Sequence, residues 1–144
     1  MANLTLTGMD ELEEAFRRIS EIPWSVTESA LDAMAEVALP EIRSKGEAMG
    51  VRDPESNVHI LDQLKRKKAK QDKSGGHEDI TFSGSRQRGG SRTRNAEIAF
   101  VNEYGKRGQA ARPFIGQAMT QNAEKITEPA ERILGDWIEN NFKN

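Results

Sequence analysis

Leu4 and Leu6 alternate with polar residues from Asn3 to Thr7, and Gly8 ends the run. Alternation with period two predicts a short strand. Asp10 stands three residues before Glu13, the spacing of a capping box, and Leu12, Phe16 and Ile19 follow at helical intervals. Residues 10–21 therefore read as an amphipathic helix, which Pro23 interrupts. A longer helix is expected from Trp24 to about Met49. Its stripe is Ala30 or Leu31, then Met34, Ala38 and Ile42, while Glu28, Asp32, Glu36 and Glu41 lie off it. Ala30, Ala33, Ala35 and Ala38 favour the helix and let a neighbouring element approach closely. Pro40 lies inside this pattern and is expected to kink the helix or start a new one.

The middle of the chain is less regular. Residues 50–57 have the composition of a loop. Val58 to Asp72 is ambiguous. Ile60, Leu61 and Leu64 suit a short helix, whereas Lys65-Arg66-Lys67-Lys68-Ala69-Lys70 suits an exposed strand or an extended basic arm. Ser74-Gly75-Gly76 predicts a turn, and Ile80 and Phe82, alternating with Thr81 and Ser83, predict a strand. Residues 84–94 contain four Arg, three Gly and no apolar residue, so a mobile loop is expected. Ala96 to Tyr104 has Ile98 and Phe100 on one face and Ala99 and Val101 on the other. It gives the strongest strand pattern, apolar on both faces as in an internal or interface strand. After a polar loop from Gly105 to Arg112, Pro113 suits the first turn of a helix. Ile115, Ala118 or Met119, Ala123, Ile126, Ala130, Ile133 or Leu134, Trp137 and Ile138 continue it. Pro129 is expected to break or kink this helix, with Thr127 available as a local cap. No internal repeat is apparent.

A length of 144 residues argues for one domain, 1–144. Leu, Ile, Val and Phe number only 28, which predicts a modest core with floppy segments beside it. The absence of Cys excludes disulfides and thiolate chemistry. No apolar run approaches a membrane span, and no basic-then-apolar leader opens the chain, so neither membrane nor export is expected. Asn3-Leu4-Thr5 fits a glycosylation sequon but reads as strand sequence.

The net charge of −2 conceals a segregation. Residues 1–55 carry 12 acidic and 5 basic side chains, residues 56–112 carry 6 and 13, and residues 113–144 carry 5 and 3. The split can be neutralised internally, by a basic sheet on acidic helices, or presented to a partner. His59 and His77 have no second ligand at metal spacing, and Glu13-Glu14 sits on an exposed helix face. No Gly-x-Ser-x-Gly elbow occurs, and Gly84 to Gly90 opens no helix. No catalytic residue, metal site or cofactor is therefore assigned, and the chain is not expected to be an enzyme. The candidate partner-binding residues are Lys65, Arg66, Lys67, Lys68 and Lys70, with Arg86, Arg88, Arg92 and Arg94. Arg86-Gln87-Arg88-Gly89-Gly90 resembles disordered Arg-Gly segments that bind nucleic acid. Against that, no aromatic is interleaved with these residues, and the pI is about 5.8.

One further pattern joins two elements. Phe100-Val101-Asn102-Glu103-Tyr104-Gly105 is followed, after a short polar loop, by Ala111-Arg112-Pro113-Phe114-Ile115-Gly116-Gln117-Ala118. Gly105 permits a sharp exit, Pro113 starts a helix, and Phe114 is placed to pack its first turn back onto the sheet. This run resembles the tail-completion, or head–tail joining, proteins of long-tailed bacteriophages and prophages. Glu103, Tyr104 and Gly105 match that family's strand end, and Ala111, Pro113, Phe114 and Ala118 match its helix start. Leu6-Thr7-Gly8-Met9-Asp10-Glu11-Leu12 is similar to the family's opening. His59-Ile60-Leu61-Asp62 departs from the usual Thr-Gly-x-Leu strand start, which leaves 63–71 open between strand and helix.

The resemblance implies an α+β fold, two main helices packed on a small antiparallel sheet with long mobile basic loops. It implies a structural virion protein that forms a ring, typically of six copies, closing the tail tube and docking it to the neck. The expected partners are other copies of the chain, the tail-tube protein and a neck or head-completion protein, with DNA only passing through. The expected location is the virion tail or neck, after the host cytoplasm. The alternative is a nucleic-acid-binding accessory protein using segments 65–73 and 84–94.

Overall fold

A computed structural model describes residues 9–52, 59–73 and 75–142. The strand expected at 3–7 and residues 53–57 of the expected loop lie outside the described residues. The chain forms α1 (Met9–Ser20), α2 (Trp24–Ala48), a 3₁₀ turn (Ile60–Gln63), β1 (Leu64–Arg66), β2 (Lys70–Asp72), β3 (Gly75–His77) and β4 (Ile80–Phe82). It continues with β5 (Ser85–Arg88), β6 (Ser91–Arg94), α3 (Asn95–Tyr104), α4 (Phe114–Gln121) and α5 (Ala123–Phe142). The fold is α+β, with all strand pairs antiparallel and each sheet two-stranded.

The two long helices fall where the periodicity places them, and α2 packs along both α5 and α4. The buried side of α2 is small, with Ala30, Ala35, Ala38 and Gly46 around a single larger residue, Ile42. No second helix starts at Pro40. Pro40 removes one hydrogen bond to the Glu36 carbonyl, but both residues are exposed, so water replaces the missing donor. The C-terminal helix breaks at Asn122 rather than Pro129. Asn122 Nδ2 donates to the Ala118 carbonyl at 2.9 Å, and α5 restarts behind it. Pro129 lies inside α5, and Thr127 Oγ1 donates to the Glu124 carbonyl at 3.3 Å instead of capping a helix.

Both readings of 58–72 are realised in succession. Ile60 and Leu61 are buried in the 3₁₀ turn, and the basic run then forms β1 and β2. β1 pairs with β4 and β2 with β3, making one long arm interrupted at 67–69. Three residues on one side, 67–69, oppose two on the other, 78–79, as in a β-bulge. The slip turns Ala69 inward, where it is buried. Gly75 and Gly76, expected in a turn, belong to β3 and pair with Asp72 and Gln71.

Two expectations fail more fully. Residues 85–94 are not an irregular loop but a hairpin, with Ser85 opposite Arg94 and Arg88 opposite Ser91. Gly89 and Gly90, both at φ +50°, supply the two-residue turn whose twist matches paired strands. Residues 95–104 are helix α3 rather than a strand. Short apolar runs suit either form, and here Asn95, Ala99, Asn102 and Glu103 are the buried set, spaced by four, three and one. Three of those four are polar, so a pattern built on apolar residues misses them.

The core gathers Ile42, Val51, Ile60, Leu61, Leu64, Phe82, Ala99, Phe114 and Ala118. Phe114 is fully buried and meets Phe82 edge-on, with ring centroids 5.9 Å apart. The first turn of α4 thus packs back onto the β1–β4 ribbon, as its position after Pro113 predicts. Gly46 makes this seat possible. A Cβ there would stand 2.6 Å from Leu61 Cδ2 and 3.1 Å from Phe114 Cδ2. Gly46→Ala is therefore expected to destabilise the protein by about 1–3 kcal/mol through overpacking. Helix propensity alone would stabilise it by about 1 kcal/mol. Urea denaturation decides the sign, and a stabilised variant would show slack in this part of the core.

Candidate functional site

The residues of the Phe100–Ala118 pattern converge on a single junction. α3 ends at Gly105, whose φ is +75° and whose amide donates to the Val101 carbonyl at 2.8 Å. Any side chain there would collide with the returning backbone, since a Cβ would lie 2.8 Å from the Ala111 nitrogen. Lys106 and Gln109 bond to each other in a tight turn, and the Arg112 amide then donates to the Asn102 carbonyl at 2.6 Å. Glu103 is buried and accepts from the Ile115 and Gly116 amides, each at 2.8 Å. A carboxylate borrowed from α3 thus caps α4, satisfying orphan amides where the helix dipole favours negative charge. Phe114 and Ala118 are fully buried below this cap, whereas Tyr104 and Ala111 are exposed. Pro113 leads directly into α4.

Glu103→Gln keeps the shape and removes the charge. The expected loss of stability is about 1–2 kcal/mol. The Ile115 and Gly116 amides should exchange hydrogen faster than the rest of α4, which amide exchange followed by NMR would read. Unchanged protection of those two amides would mean that the cap does not hold the junction.

Beside the junction lies a cleft of about 720 Å³ between the β5–β6 hairpin, α3, the 106–112 loop and the segments around Val51 and Ile60. Arg52, Arg86, Arg88, Lys106 and Arg112 line it, with Glu97 as the only carboxylate among the described lining residues. Several of these cations are anchored from one side. Arg52 pairs with Glu47 at 2.7 Å, and Arg112 Nη1 donates to the Gly50 carbonyl at 2.7 Å. Arg86 Nε donates to Asn95 Oδ1 at 3.2 Å, and the buried Asn95 amide in turn donates to the Ser83 carbonyl at 2.7 Å. Arg86 Nη2 and His59 Nδ1 are buried with no hydrogen-bond partner among the described residues. A buried donor without an acceptor is costly, so the cleft is chemically suited to carboxylate or phosphate oxygens.

The nine sequence-predicted basic residues do not form one surface. Only Arg86 and Arg88 line the cleft. Arg92 donates to Ser85 Oγ at 2.5 Å, and Arg94 pairs with Glu97 at 2.7 Å. The arm carrying Lys65, Arg66, Lys67, Lys68 and Lys70 is near α2 instead. Arg66 meets Asp32 and Glu36, each at 3.5 Å, and Lys68 meets Glu28 at 4.0 Å. Lys65, Lys67 and Lys70 are exposed and make no ion pair among the described residues. The sequence reading missed Arg52, Lys106 and Arg112 as cleft residues. They are dispersed singly in the chain, and only Arg112, inside the Ala-Arg-Pro-Phe run, carried a signal. His77 pairs with Asp72 at 3.3 Å, and no group of three or more metal-ligating side chains clusters among the described residues.

Glu78 lies under the basic arm with its side chain only 3 % exposed, 3.7 Å from Arg66. Burial pushes its carboxyl up to about 7; Asp32 and Glu28 add to the rise, and Arg66 opposes it. The folded protein therefore binds a proton that the unfolded chain, with an ordinary Glu near pH 4.3, does not hold between these values. This term favours folding at about pH 5 and is lost as pH rises through about 7. Its ceiling is about 4 kcal/mol. Urea midpoints from pH 5 to 8 should fall more steeply for the native chain than for Glu78→Gln. Parallel profiles would show that Glu78 is not the group responsible.

No protein-family model, no curated protein and no solved structure matches the chain.

Proposed function

We propose that the chain is a structural subunit of the tail-completion kind, which ends a phage or prophage tail tube and joins it to the neck as a ring. The observation that carries this reading is the convergence of Glu103, Gly105, Phe114 and Ala118 on one latch. They are four of the seven residues through which the sequence resembles that family, and each of the four has a packing role at the same junction. Two features suit assembly. α3 presents Phe100 and Tyr104 to solvent, 62 % and 69 % exposed, as a ring pair 4.7 Å apart. The arginine cleft opens on the same helix. The ring would consist of about six copies, an expectation taken from the family. It works by contact alone, without catalysis or cofactor, in the virion after a period in the host cytoplasm.

The exposed Lys65, Lys67, Lys70 and Arg88 favour a second reading, a nucleic-acid-binding accessory protein. No Phe, Tyr or Trp is among the described residues lining the cleft, so base stacking lacks its main platform there.

The test is to mix the purified protein with tail tubes and neck proteins and follow the products by sedimentation and electron microscopy. Added density at one end of the tube is the expected result. A protein that binds neither tube nor neck overturns the reading. DNA affinity that falls steeply with salt, reporting several phosphate contacts, would favour the second reading instead.

A further inference from the structure

We infer that neighbouring copies meet head to tail, with α1 of one copy lying on the Phe100–Tyr104 face of α3 and the arginine cleft of the next. The inference rests on the ring reading above and names the surfaces that make the ring.

α1 is amphipathic, yet it is turned the wrong way for a monomer. Leu12 and Phe16, four residues apart, are 48 % and 63 % exposed. The Glu14–Arg18 side of α1 faces the protein. Arg18 stands over the Phe142 ring at 5.5 Å and reaches the Asn141 carbonyl at 3.5 Å. Asp10, Glu11, Glu14 and Ala15 border a shallow groove against Phe142. A surface helix normally buries its apolar stripe and exposes its charges.

α3 offers the complementary arrangement. Phe100 and Tyr104 are also four residues apart and, with Phe16, are the large exposed aromatics among the described residues. Each follows a cleft-lining residue by three positions, Glu97 and Val101, so the aromatic pair adjoins the cleft along the helix surface. The charges are complementary. Glu11 and Glu13 flank Leu12 on exposed positions. The cleft presents Arg52, Arg86, Arg88, Lys106 and Arg112. An acidic amphipathic helix with i, i+4 apolar anchors is the kind of ligand that an apolar ridge beside a basic groove takes. The two faces lie on different helices and differ in charge, so the contact is heterologous and propagates toward a ring or an open chain.

Sedimentation across a concentration series to the millimolar range, at low and high salt, tests this on the protein alone. The native chain should associate, more weakly as salt rises. Phe16→Asp, which disables the α1 face, and Phe100→Asp with Tyr104→Ser, which disables the α3 face, should each weaken association by about tenfold or more. All these side chains are exposed, so thermal melts should stay near native and confirm folding. Mixing the two variants is decisive. Each retains one intact face of opposite kind, so they should form a one-to-one dimer and nothing larger. A native chain that stays monomeric throughout, association untouched by either variant, or large oligomers in the mixture would each overturn the inference. Self-association without any binding to tail tubes would count against the tail-completion reading and leave this contact standing.

Discussion

The seat of Phe114 holds together parts of the chain that have little else in common. Its ring is fully buried, meets Phe82 of β4 edge-on, and lies within 3.1 Å of where a side chain at Gly46 would begin. Helix, ribbon and 3₁₀ turn close around that one ring. The strands could not supply such a core themselves, since each is three or four residues long and each sheet has only two strands. The Glu103 carboxylate then fixes the direction in which α4 leaves the seat, and with it the course of α5 along α2. A chain with few large apolar residues concentrates its packing in one place and relies on small residues, chiefly alanine, elsewhere.

The sequence was legible where burial follows a regular apolar spacing. α2 and the C-terminal helices obey that rule, and so does β4; α1 keeps the apolar spacing as a helix but not the burial, since Leu12 and Phe16 are exposed. It was misread where burial is polar. α3 turns Asn95, Asn102 and Glu103 inward because each has a backbone partner: Asn95 at Ser83, Asn102 at Ile98, and Glu103 at α4. No apolar scale registers such positions. The β5–β6 hairpin was invisible for another reason: it has no apolar residue, and only the Gly89-Gly90 pair marks its turn. The junction residues were legible as a resemblance, but their roles were not. Glu103 as a cap in trans depends on two helices meeting, and local sequence does not state that. The cleft was the least legible feature, because Arg52, Arg86, Lys106 and Arg112 are brought together only by the fold.

The segregation of charge along the chain resolves into two unequal parts. One is internal. Arg66 and Lys68 lie over Asp32, Glu36 and Glu28 of α2, which is the basic sheet on an acidic helix that the pattern allowed. Lys125 of α5 likewise pairs with Glu41 of α2. Most of these are partly exposed pairs and contribute little individually, typically about 0–1 kcal/mol. The other part is left over: acids on the first turn of α1, and Arg86, Arg88, Lys106 and Arg112 around the cleft. Charge neutralised inside the monomer cannot recruit a partner, so only this second part bears on assembly.

Magnitudes explain why such a contact would leave free subunits single. Burying a large apolar side chain contributes about 1.5–3 kcal/mol when it starts fully exposed. Leu12, Phe16, Phe100 and Tyr104 begin only half to two-thirds exposed, so their joint contribution is of the order of 4–8 kcal/mol. Association costs about 4–15 kcal/mol in lost freedom, so one such interface is weak on its own. The balance changes on closure. The last subunit of a ring makes two contacts for a single loss of translational and rotational freedom, and a template that holds several subunits at once raises their effective concentration. On the proposed tail-completion reading, a weak heterologous contact suits a subunit that stays dispersed until a tube end is there to organise it.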